Sequence, residues 1–359
     1  MRLQSLAEGI PGLVLLAAER EESPRPWVAR MLSEPVMVHP DDVSLFEGAP
    51  AVALALSVTG ESGILTSLDT QIATLTKRRL EAAAQRQQRG DPPHKSEFDL
   101  ISGLTGLGVY LLHRGQNLQL LHAVLTYLVD LTRTRSNGRP GWWATDGPTG
   151  PDPAWRDGHG NLGMAHGIAG PLTLLALAMR RGIVVADHAK AMRRLCAWID
   201  LHRQDDPHPW WPGTVTLREH TLGVSRYRER PRPSWCEGTP GIARALQMAG
   251  IALEDQELQH TAGTALLSCL SDEDQLALLE DASLCHGWAG VLHTAWRAGH
   301  HAPALRDTLP RLLAGYHSTT LPEEPGFLTG STGTALAERV ATTGLPPATG
   351  WDAVLLLNE

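Results

Sequence analysis

The sequence is poor in cysteine and carries no excess of positive charge. Its four cysteines in 359 residues, Cys196, Cys236, Cys269 and Cys285, are too few and too scattered for the framework of a disulfide-rich secreted domain. Acidic residues outnumber basic ones by 39 to 31, and the formal net charge of -8 gives no general attraction for nucleic acid. We therefore expect a protein of the reducing cytoplasm that does not bind DNA or RNA.

Long hydrophobic runs are also missing. The apolar stretch at residues 10–18 is interrupted by Pro11 and Gly12 and has no small-residue cleavage site in the usual frame, so we interpret it as a core helix. No segment approaches the roughly 18 to 20 uninterrupted apolar residues of a membrane-spanning helix. The hydrophobic content of 42% suffices for one large domain or two ordinary ones.

Sustained strand-like alternation is absent, whereas a glycine pattern recurs along the chain. In this pattern Gly-x-x-Gly leads into an apolar helical run. Five clear copies begin at Gly103, Gly167, Gly238, Gly287 and Gly330. A weaker copy keeps Gly48 but has Ala51 in the second glycine position. Glycine permits positive φ and close backbone approach, so the repeated turn predicts tight helix entries.

The segments between the glycine turns are long enough for two helices each. Residues 118–134 and 188–203, for example, have apolar side chains at three- and four-residue spacing. Repeats of this kind bury one helix face against the next unit, and about six hairpins can close into a ring. We predict an all-α fold: an α/α toroid of about six inner and six outer helices, with side chains before each glycine turn converging at the ring mouth.

Loops rich in proline, glycine and tryptophan separate some of these helices. Residues 136–160 and 205–216 are too long for plain connectors. Seven of the eleven tryptophans lie in or beside such loops and turns: Trp142, Trp143, Trp155, Trp210, Trp211, Trp235 and Trp288. They either pin the loops to the core or line a groove for an extended, partly apolar substrate.

Arginine recurs at every second residue in one short stretch, at Arg226, Arg228, Arg230 and Arg232. A run of this kind is typical of a solvated loop. A contact with an acidic peptide is the alternative.

Two cysteines and one histidine occupy related places in the glycine pattern. Cys236 lies two residues before Gly238, Cys285 lies two before Gly287, and His286 lies one before it. Because the repeats superpose, these side chains are predicted to meet at the ring mouth. Two cysteines and a histidine with an open fourth position are a ligand set of catalytic zinc. Cys196 and Cys269 fall outside the pattern, and we expect them to be inert core residues.

These motifs resemble those of the lanthionine synthetase C-like cyclases, which close thioether rings in lanthipeptides. The sequences WCEG at 235–238 and CHG at 285–287 resemble the zinc signature of that family. The similarity continues from about Phe46 to GWDAVLLL at 350–357. The resemblance implies one α/α-barrel domain over residues 1–359. It also implies zinc bound by Cys236, Cys285 and His286.

Further segments of the chain match the family's active-site motifs. NLGMAHGIAG resembles the segment that supplies an active-site histidine, here His166, and FDLISGLTG resembles the one that supplies an acid, here Asp99. Arg232 matches an arginine near the zinc. The resemblance implies that His166 is a general acid oriented by Asp99, although Asp99 is off the repeat frame and could instead cap a helix. One departure is Glu237, where family members can carry a tyrosine.

The resemblance implies that a cysteine thiol of a dehydrated precursor peptide, leader plus core, adds to dehydroalanine or dehydrobutyrine. Arg232 would stabilise the enolate. A chain of 359 residues has no room for a dehydratase domain, so we expect a separate dehydratase, together with a transporter, as partners. Three alternatives stay open: addition of glutathione to dehydroamino acids, an α/α-barrel glycoside hydrolase with paired carboxylates, and a non-catalytic zinc-stabilised scaffold, which Glu237 keeps open.

Overall fold

The chain is mainly helical. The computed structural model describes residues 2–135, 137–147, 153–223 and 230–358. The α-helices are, in chain order, α1 (Ile10–Glu19), α2 (Arg25–Met31), α3 (Ala49–Leu56), α4 (Ser62–Arg89), α5 (Lys95–Phe98), α6 (Leu104–Arg114), α7 (Leu118–Leu131), α8 (Ala169–Arg180), α9 (His188–Leu201), α10 (Leu217–Leu222), α11 (Thr239–Ala252), α12 (Gln256–Ser271), α13 (Glu273–Leu276), α14 (Trp288–Ala298), α15 (Leu309–Ser318) and α16 (Ser331–Thr343).

Extended structure is limited, in the described residues, to one antiparallel pair of three-residue strands. His159–Asn161 (β1) pairs with Thr214–Thr216 (β2), and Gly160 lies opposite Val215. Three 3₁₀ helices, Pro153–Trp155, Pro303–Thr308 and Trp351–Leu355, complete the regular structure.

Two concentric layers of helices form the fold. In the described part of the chain, the inner ring consists of α1, α3, α6, α8, α11, α14 and α16, and α16 packs back on α1 to close it. The outer layer contains α2, α4, α7, α9, α12 and α15. Most inner helices are buried over nearly their whole length, as in α3, where all eight residues are buried. Outer helices bury one face only. The predicted all-α toroid is confirmed.

The inner ring has one helix more than the sequence pattern predicted. The missed unit begins at Gly9 and Gly12, a further Gly-x-x-Gly copy directly at the start of α1. The interpretation of this stretch as a core helix is confirmed, but its glycines were not recognised as a copy of the repeat. In the structure Pro11 occupies the first turn of α1, where its missing N–H costs no hydrogen bond.

Space, rather than positive φ, explains the glycines in the five clear copies of the repeated turn, whereas Gly48 of the weaker copy has a φ of 67°. At Gly238 the backbone is extended, with φ of -92°, which other residues adopt easily. A Cβ at Gly241, however, would lie 1.9 Å from the carbonyl oxygen of Trp235, and at Gly290 it would lie 2.0 Å from that of Leu284. Each helix therefore starts against the loop that precedes it, and any larger residue would push the two apart.

The C-terminal segment lies in the interior of the molecule. Residues Trp351 to Leu357 are all buried. The indole N–H of Trp235 donates to the Leu355 carbonyl at 2.9 Å, and the Arg244 guanidinium donates to the Leu357 carbonyl at 3.0 Å. The end of the chain is thereby tied to α11 and to the loop that precedes it.

A buried ionic cluster fastens the same segment to α14. The Asp352 carboxylate is fully buried and receives hydrogen bonds from Arg297 Nε at 2.5 Å and from His293 Nε2 at 2.8 Å. A buried carboxylate is stable only when such partners compensate for its lost hydration.

Most of the loop tryptophans have a packing role. Five of the seven are buried: Trp142, Trp143, Trp210, Trp211 and Trp235. Trp155 and Trp288 are half-buried. The structure thus supports loop anchoring for the five, and only the other two remain available for a substrate groove.

The arginine stretch is only partly described. Arg226 and Arg228 lie outside the described residues. Arg230 forms an ion pair with Asp272, with Nη2 and Oδ2 separated by 2.5 Å and both side chains largely buried. Asp272 also caps α13 by accepting from the Gln275 N–H. The expectation of a solvated loop is therefore wrong for Arg230, which is fixed to the start of α13.

The two cysteines outside the glycine pattern are buried, as predicted. Cys196 and Cys269 are 9% and 4% exposed. Burial raises the pKa of each thiol to about 12, so both are protonated at neutral pH.

We expect Asp352→Ala to lower the free energy of unfolding by about 3 to 5 kcal/mol, because it leaves Arg297 and His293 buried without their anion. Urea denaturation measures the change. Glu338→Ala, which removes the carboxylate of an exposed pair with His317, is the matched control and should cost less than about 1 kcal/mol. Equal effects of the two substitutions would contradict the stabilising role of the buried cluster.

A group of imidazole and indole rings lies beneath the tryptophan loops. His202 is 5% exposed, with its ring centroid 4.7 Å from that of Trp198 and 5.7 Å from that of His220. Burial lowers the pKa of His202 to about 4, and the nearby His220 acts in the same direction. The folded state therefore holds this imidazole neutral.

Acid should destabilise the protein through these rings. Because the pKa of His202 is lower folded than unfolded, its contribution is fully present above about pH 6.5 and is lost as pH falls toward about 4. Between pH 7 and pH 5, we expect His202→Phe to lose about 1 to 2 kcal/mol less stability than the wild type. Denaturant titrations at both pH values measure this difference, and an identical loss in both proteins would refute it.

Candidate metal and catalytic site

Backbone hydrogen bonds follow part of the helix ring and link the loops that precede five of the inner helices; we call this series the ring of hydrogen bonds. The residues two positions before the first glycine of successive repeats bond to one another. Ala165 N–H donates to Cys236 O at 3.1 Å, Cys236 N–H to Cys285 O at 3.2 Å, and Cys285 N–H to Leu328 O at 2.9 Å. Leu328 N–H continues the ring to Ala7 O at 3.2 Å. Equivalent residues of neighbouring repeats are therefore direct neighbours at the mouth.

The ring of hydrogen bonds brings the predicted metal ligands together. Cys236, Cys285 and His286 each offer a ligand atom, and these atoms lie within 4.8 Å of one another. All three residues are half-buried. Among the described residues this is the only cluster of three or more histidine, cysteine or acidic side chains with such spacing. Its two sulfurs and one nitrogen are the donor set that suits zinc.

The three side chains are linked by hydrogen bonds through Cys236, which shift their pKa values. A hydrogen bond from the Cys285 thiol lowers the pKa of Cys236 well below its ordinary value despite burial, and His286 acts in the same direction. The same contact with Cys236 raises the pKa of Cys285. These contacts favour the thiolate form of Cys236, which is the form that binds a metal.

His286 is also held by a carboxylate. Its Nε2 lies 3.1 Å from Asp281 Oδ2. The hydrogen bond with Asp281 is the main cause that raises the pKa of His286 to about 9, and the contact with Cys236 adds to it.

His166 and Asp99 form a second pair in the site. His166 Nδ1 and Asp99 Oδ2 are 2.6 Å apart, and Asp99 is 1% exposed while the His166 side chain is 34% exposed. Asp99 Oδ1 also accepts from the Ser102 N–H at 2.7 Å, so the carboxylate both holds the turn and orients the imidazole. Burial opposes a charged imidazole, but the hydrogen bond and charge of Asp99 prevail and raise the pKa of His166.

Glu237 lies close enough to both Cys236 and His166 for their charges to shift its pKa. It directly follows Cys236, and its Oε1 accepts a long hydrogen bond of 3.5 Å from Asn161 Nδ2. Burial and the adjacent charge of Cys236 raise the pKa of its carboxyl. His166, Glu237 and His286 all occupy the position directly before the first glycine, in three consecutive repeats.

Two cations lie near these groups. Arg232 is half-buried, and its positive charge opposes protonation of His286. Lys95 donates to the Gly147 carbonyl at 3.0 Å, and its charge lowers the pKa of both His166 and Glu237.

Sequence reasoning did not single out Lys95, Asn161 or Asp281. Asn161 and Asp281 stand six residues before Gly167 and Gly287, in the same frame position as Arg232 before Gly238. That repeated position was the available signal. Lys95 lies outside the repeat and left no comparable pattern.

The fold and this site define the class of protein. Residues 2–301 match the family described as lanthionine synthetase C-like protein. The match covers most of the chain, which therefore belongs to this family, as the resemblance of its motifs predicted.

Individual relatives agree with the assignment. The chain is 24% identical over 311 residues to the nisin biosynthesis protein NisC of Lactococcus lactis subsp. lactis, covering 80% of this chain and 72% of that protein. The solved structure of nisin cyclase superposes with a TM-score of 0.83 at 21% identity, over 99% of this chain and 92% of that one. The structural match identifies the toroidal fold.

In the described residues, no helix combines the length and the apolar character that spanning a bilayer requires.

Proposed function

We propose that this chain is a zinc-dependent lanthipeptide cyclase, which adds a cysteine thiol of a dehydrated precursor peptide to a dehydroalanine or dehydrobutyrine residue of that peptide. The convergence of Cys236, Cys285 and His286 beside the His166–Asp99 pair carries the proposal. Membership of the lanthionine synthetase C-like family supports thioether-ring formation as the reaction. The core, which includes residues from Leu6 to Leu357, supports one working domain over residues 1–359.

Cys236, Cys285 and His286 would hold the zinc ion. A zinc ion held by these three residues would lower the pKa of a thiol bound beside them and so favour its thiolate form. The low pKa of Cys236 fits this role, because less free energy is then needed to deprotonate the ligands.

His166 would supply the proton that completes the addition. The peptide sulfur forms a bond to the β-carbon, the carbon–carbon double bond becomes single, and the electron pair moves onto the α-carbon and its carbonyl as an enolate. Asp99 occupies Nδ1 of His166, so Nε2 is the nitrogen that gives its proton to the α-carbon. The raised pKa of His166 favours the protonated form that this step requires. The proton lost from the thiol balances the one gained by carbon.

The positive charge of Arg232 would stabilise the enolate before it is protonated. Its half-buried position near His286 supports this role. Glu237 is the other proton donor close enough to compete with His166, because burial and Cys236 favour its protonated form.

The reaction class constrains the partners. Its substrate contains dehydroalanine or dehydrobutyrine, which a dehydratase must first form from serine or threonine residues of the precursor peptide. The name of the relative, nisin biosynthesis protein, supports a precursor peptide as the substrate. A transporter partner remains a prediction. Two accessible cysteines that must stay reduced support a cytoplasmic location.

Two alternatives from the sequence lose support. A glycoside hydrolase needs two free carboxyl groups across the site, whereas Asp99 is bonded to His166. A scaffold that only binds zinc would have no use for the exposed, carboxylate-held imidazole of His166. Glutathione addition uses the same groups, so only the product distinguishes it.

Metal content tests the ligand assignment. The purified protein should contain about one zinc per chain, and Cys236→Ala should lose it, because two protein ligands hold zinc far more weakly than three. Elemental analysis after gel filtration measures this ratio. Cys269→Ala, which removes a buried cysteine remote from the pattern, should keep the metal. Full zinc content in Cys236→Ala would exclude that cysteine as a ligand.

A cyclisation assay distinguishes the role of the metal ligands from the role of His166. With a dehydrated peptide, the wild type should remove alkylatable thiols without changing the peptide mass, as mass spectrometry after thiol alkylation reports. His166→Ala should keep zinc and lose about 10²- to 10⁴-fold in rate, since general acid catalysis contributes about that much. Cys285→Ala should lose zinc and cyclisation together. A mass increase by one glutathione, with glutathione present, would favour the alternative reaction.

Glu237→Gln is the matched control for proton transfer. A loss of a general acid should lower the rate by far more than threefold. A rate within about threefold of the wild type would therefore mean that Glu237 takes no part in the proton transfer. Near-wild-type cyclisation by zinc-loaded His166→Ala would instead refute the assignment of His166 and leave Glu237 or water as the donor.

A further inference from the structure

Asp281 and Asn161 are equivalent residues of two repeats, and they make the same backbone contacts. Asp281 Oδ1 accepts from the Ser283 N–H at 2.7 Å, and Asn161 Oδ1 accepts from the Gly163 N–H at 2.8 Å. The carbonyl oxygen of each accepts, at 3.0 Å, from the N–H seven residues further on. One side-chain oxygen is therefore enough to hold this turn, and asparagine does so as well as aspartate.

The second oxygen of Asp281 serves a different purpose. Asp281 Oδ2 contacts His286 Nε2 at 3.1 Å, and the first oxygen is already used by Ser283. At the equivalent place, Asn161 offers an amide nitrogen to Glu237 instead. The carboxylate at position 281 is thus needed for the imidazole and not for the turn.

The two active-site histidines are held through opposite nitrogens. His166 and His286 share the position directly before the first glycine. Asp99 holds His166 at Nδ1, whereas Asp281 holds His286 at Nε2. His286 is therefore left with Nδ1 for the cluster that Cys236 and Cys285 complete.

We propose that Asp281 is the positioning residue of the metal site: it fixes His286 so that Nδ1 is the metal-binding nitrogen. A carboxylate that accepts the other N–H of a ligating histidine orients its ring and increases the basicity of the ligand. This inference rests on the proposed function, in which Cys236, Cys285 and His286 bind zinc. Asp281 itself is not a ligand.

The backbone around Asp281 keeps its carboxylate in this place. A Cβ at Gly287 would lie 2.2 Å from both the carbonyl oxygen and Oδ1 of Asp281. The Trp288 N–H donates to that carbonyl oxygen at the start of α14. The side chain that orients His286 is consequently built into the same turn as His286.

Zinc affinity of Asp281→Asn tests the proposal. The amide keeps Oδ1 for Ser283, as Asn161 does for Gly163, but it replaces the oxygen that accepts from His286. We expect the dissociation constant for zinc, measured by competition with a chromogenic chelator, to rise about tenfold or more. The melting temperature of the metal-free protein should stay unchanged, because the turn is intact.

Asp255→Asn is the matched control. Asp255 caps α12 through the Leu258 N–H at 3.0 Å, so the same substitution there alters a cap remote from the metal. It should leave the zinc affinity unchanged. An unchanged zinc affinity in Asp281→Asn would overturn the inference. If the wild type binds zinc in the same experiment, the proposed function is unaffected by that result.

A zinc-loaded crystal structure provides the second measurement. We expect coordination through Nδ1 of His286, with Nε2 on Asp281. Coordination through Nε2 would overturn the inference even if Asp281→Asn binds zinc weakly. A wild type that binds no zinc would overturn the zinc assignment of the proposed function itself, which separates the two failures.

Discussion

The site depends on the ring of backbone hydrogen bonds that joins the loops ahead of the inner helices. Because Cys236 N–H donates to Cys285 O, two residues 49 positions apart in the sequence become neighbours. The contact involves only the main chain, so it does not depend on which side chain occupies the position. Ala165, Leu328 and Ala7 fill the same place in other repeats. The scaffold can therefore carry chemistry in some repeats and plain packing in others.

Neighbouring repeats use this freedom to give one residue type two tasks. His166 and His286 occupy equivalent positions, yet the carboxylates that hold them come from different places. Asp99 lies in the loop before α6, one repeat ahead of His166, whereas Asp281 lies in the same turn as His286. A histidine held at Nδ1 presents Nε2, and one held at Nε2 presents Nδ1. The chemical difference between a proton donor and a metal ligand is thus set by the carboxylate, while the imidazoles are placed alike.

The sequence predicted those features that follow from the repeat. The toroid, and the meeting of Cys236 with Cys285, came from positions counted against glycines. Asp281 was missed because its repeat position holds different residue types, so no shared chemistry marked it. Asp352 was missed because its partners, His293 and Arg297, lie far away in sequence and only tertiary packing brings them to it. Of the two reasons given for glycine in the turn, close backbone approach explains Gly238 and Gly241, and positive φ does not.

The buried C-terminal segment connects the stability of the ring to the geometry of the site. Trp235 directly precedes Cys236, and its indole N–H bonds the carbonyl of Leu355. Three residues away, Asp352 is anchored to α14, the helix that begins just after Cys285 and His286. The segment therefore links the loop that carries Cys236 to α14, the helix that follows Cys285 and His286. Since ligands must keep fixed distances to bind a metal, this link between the Cys236 loop and α14 helps to hold the two cysteines together.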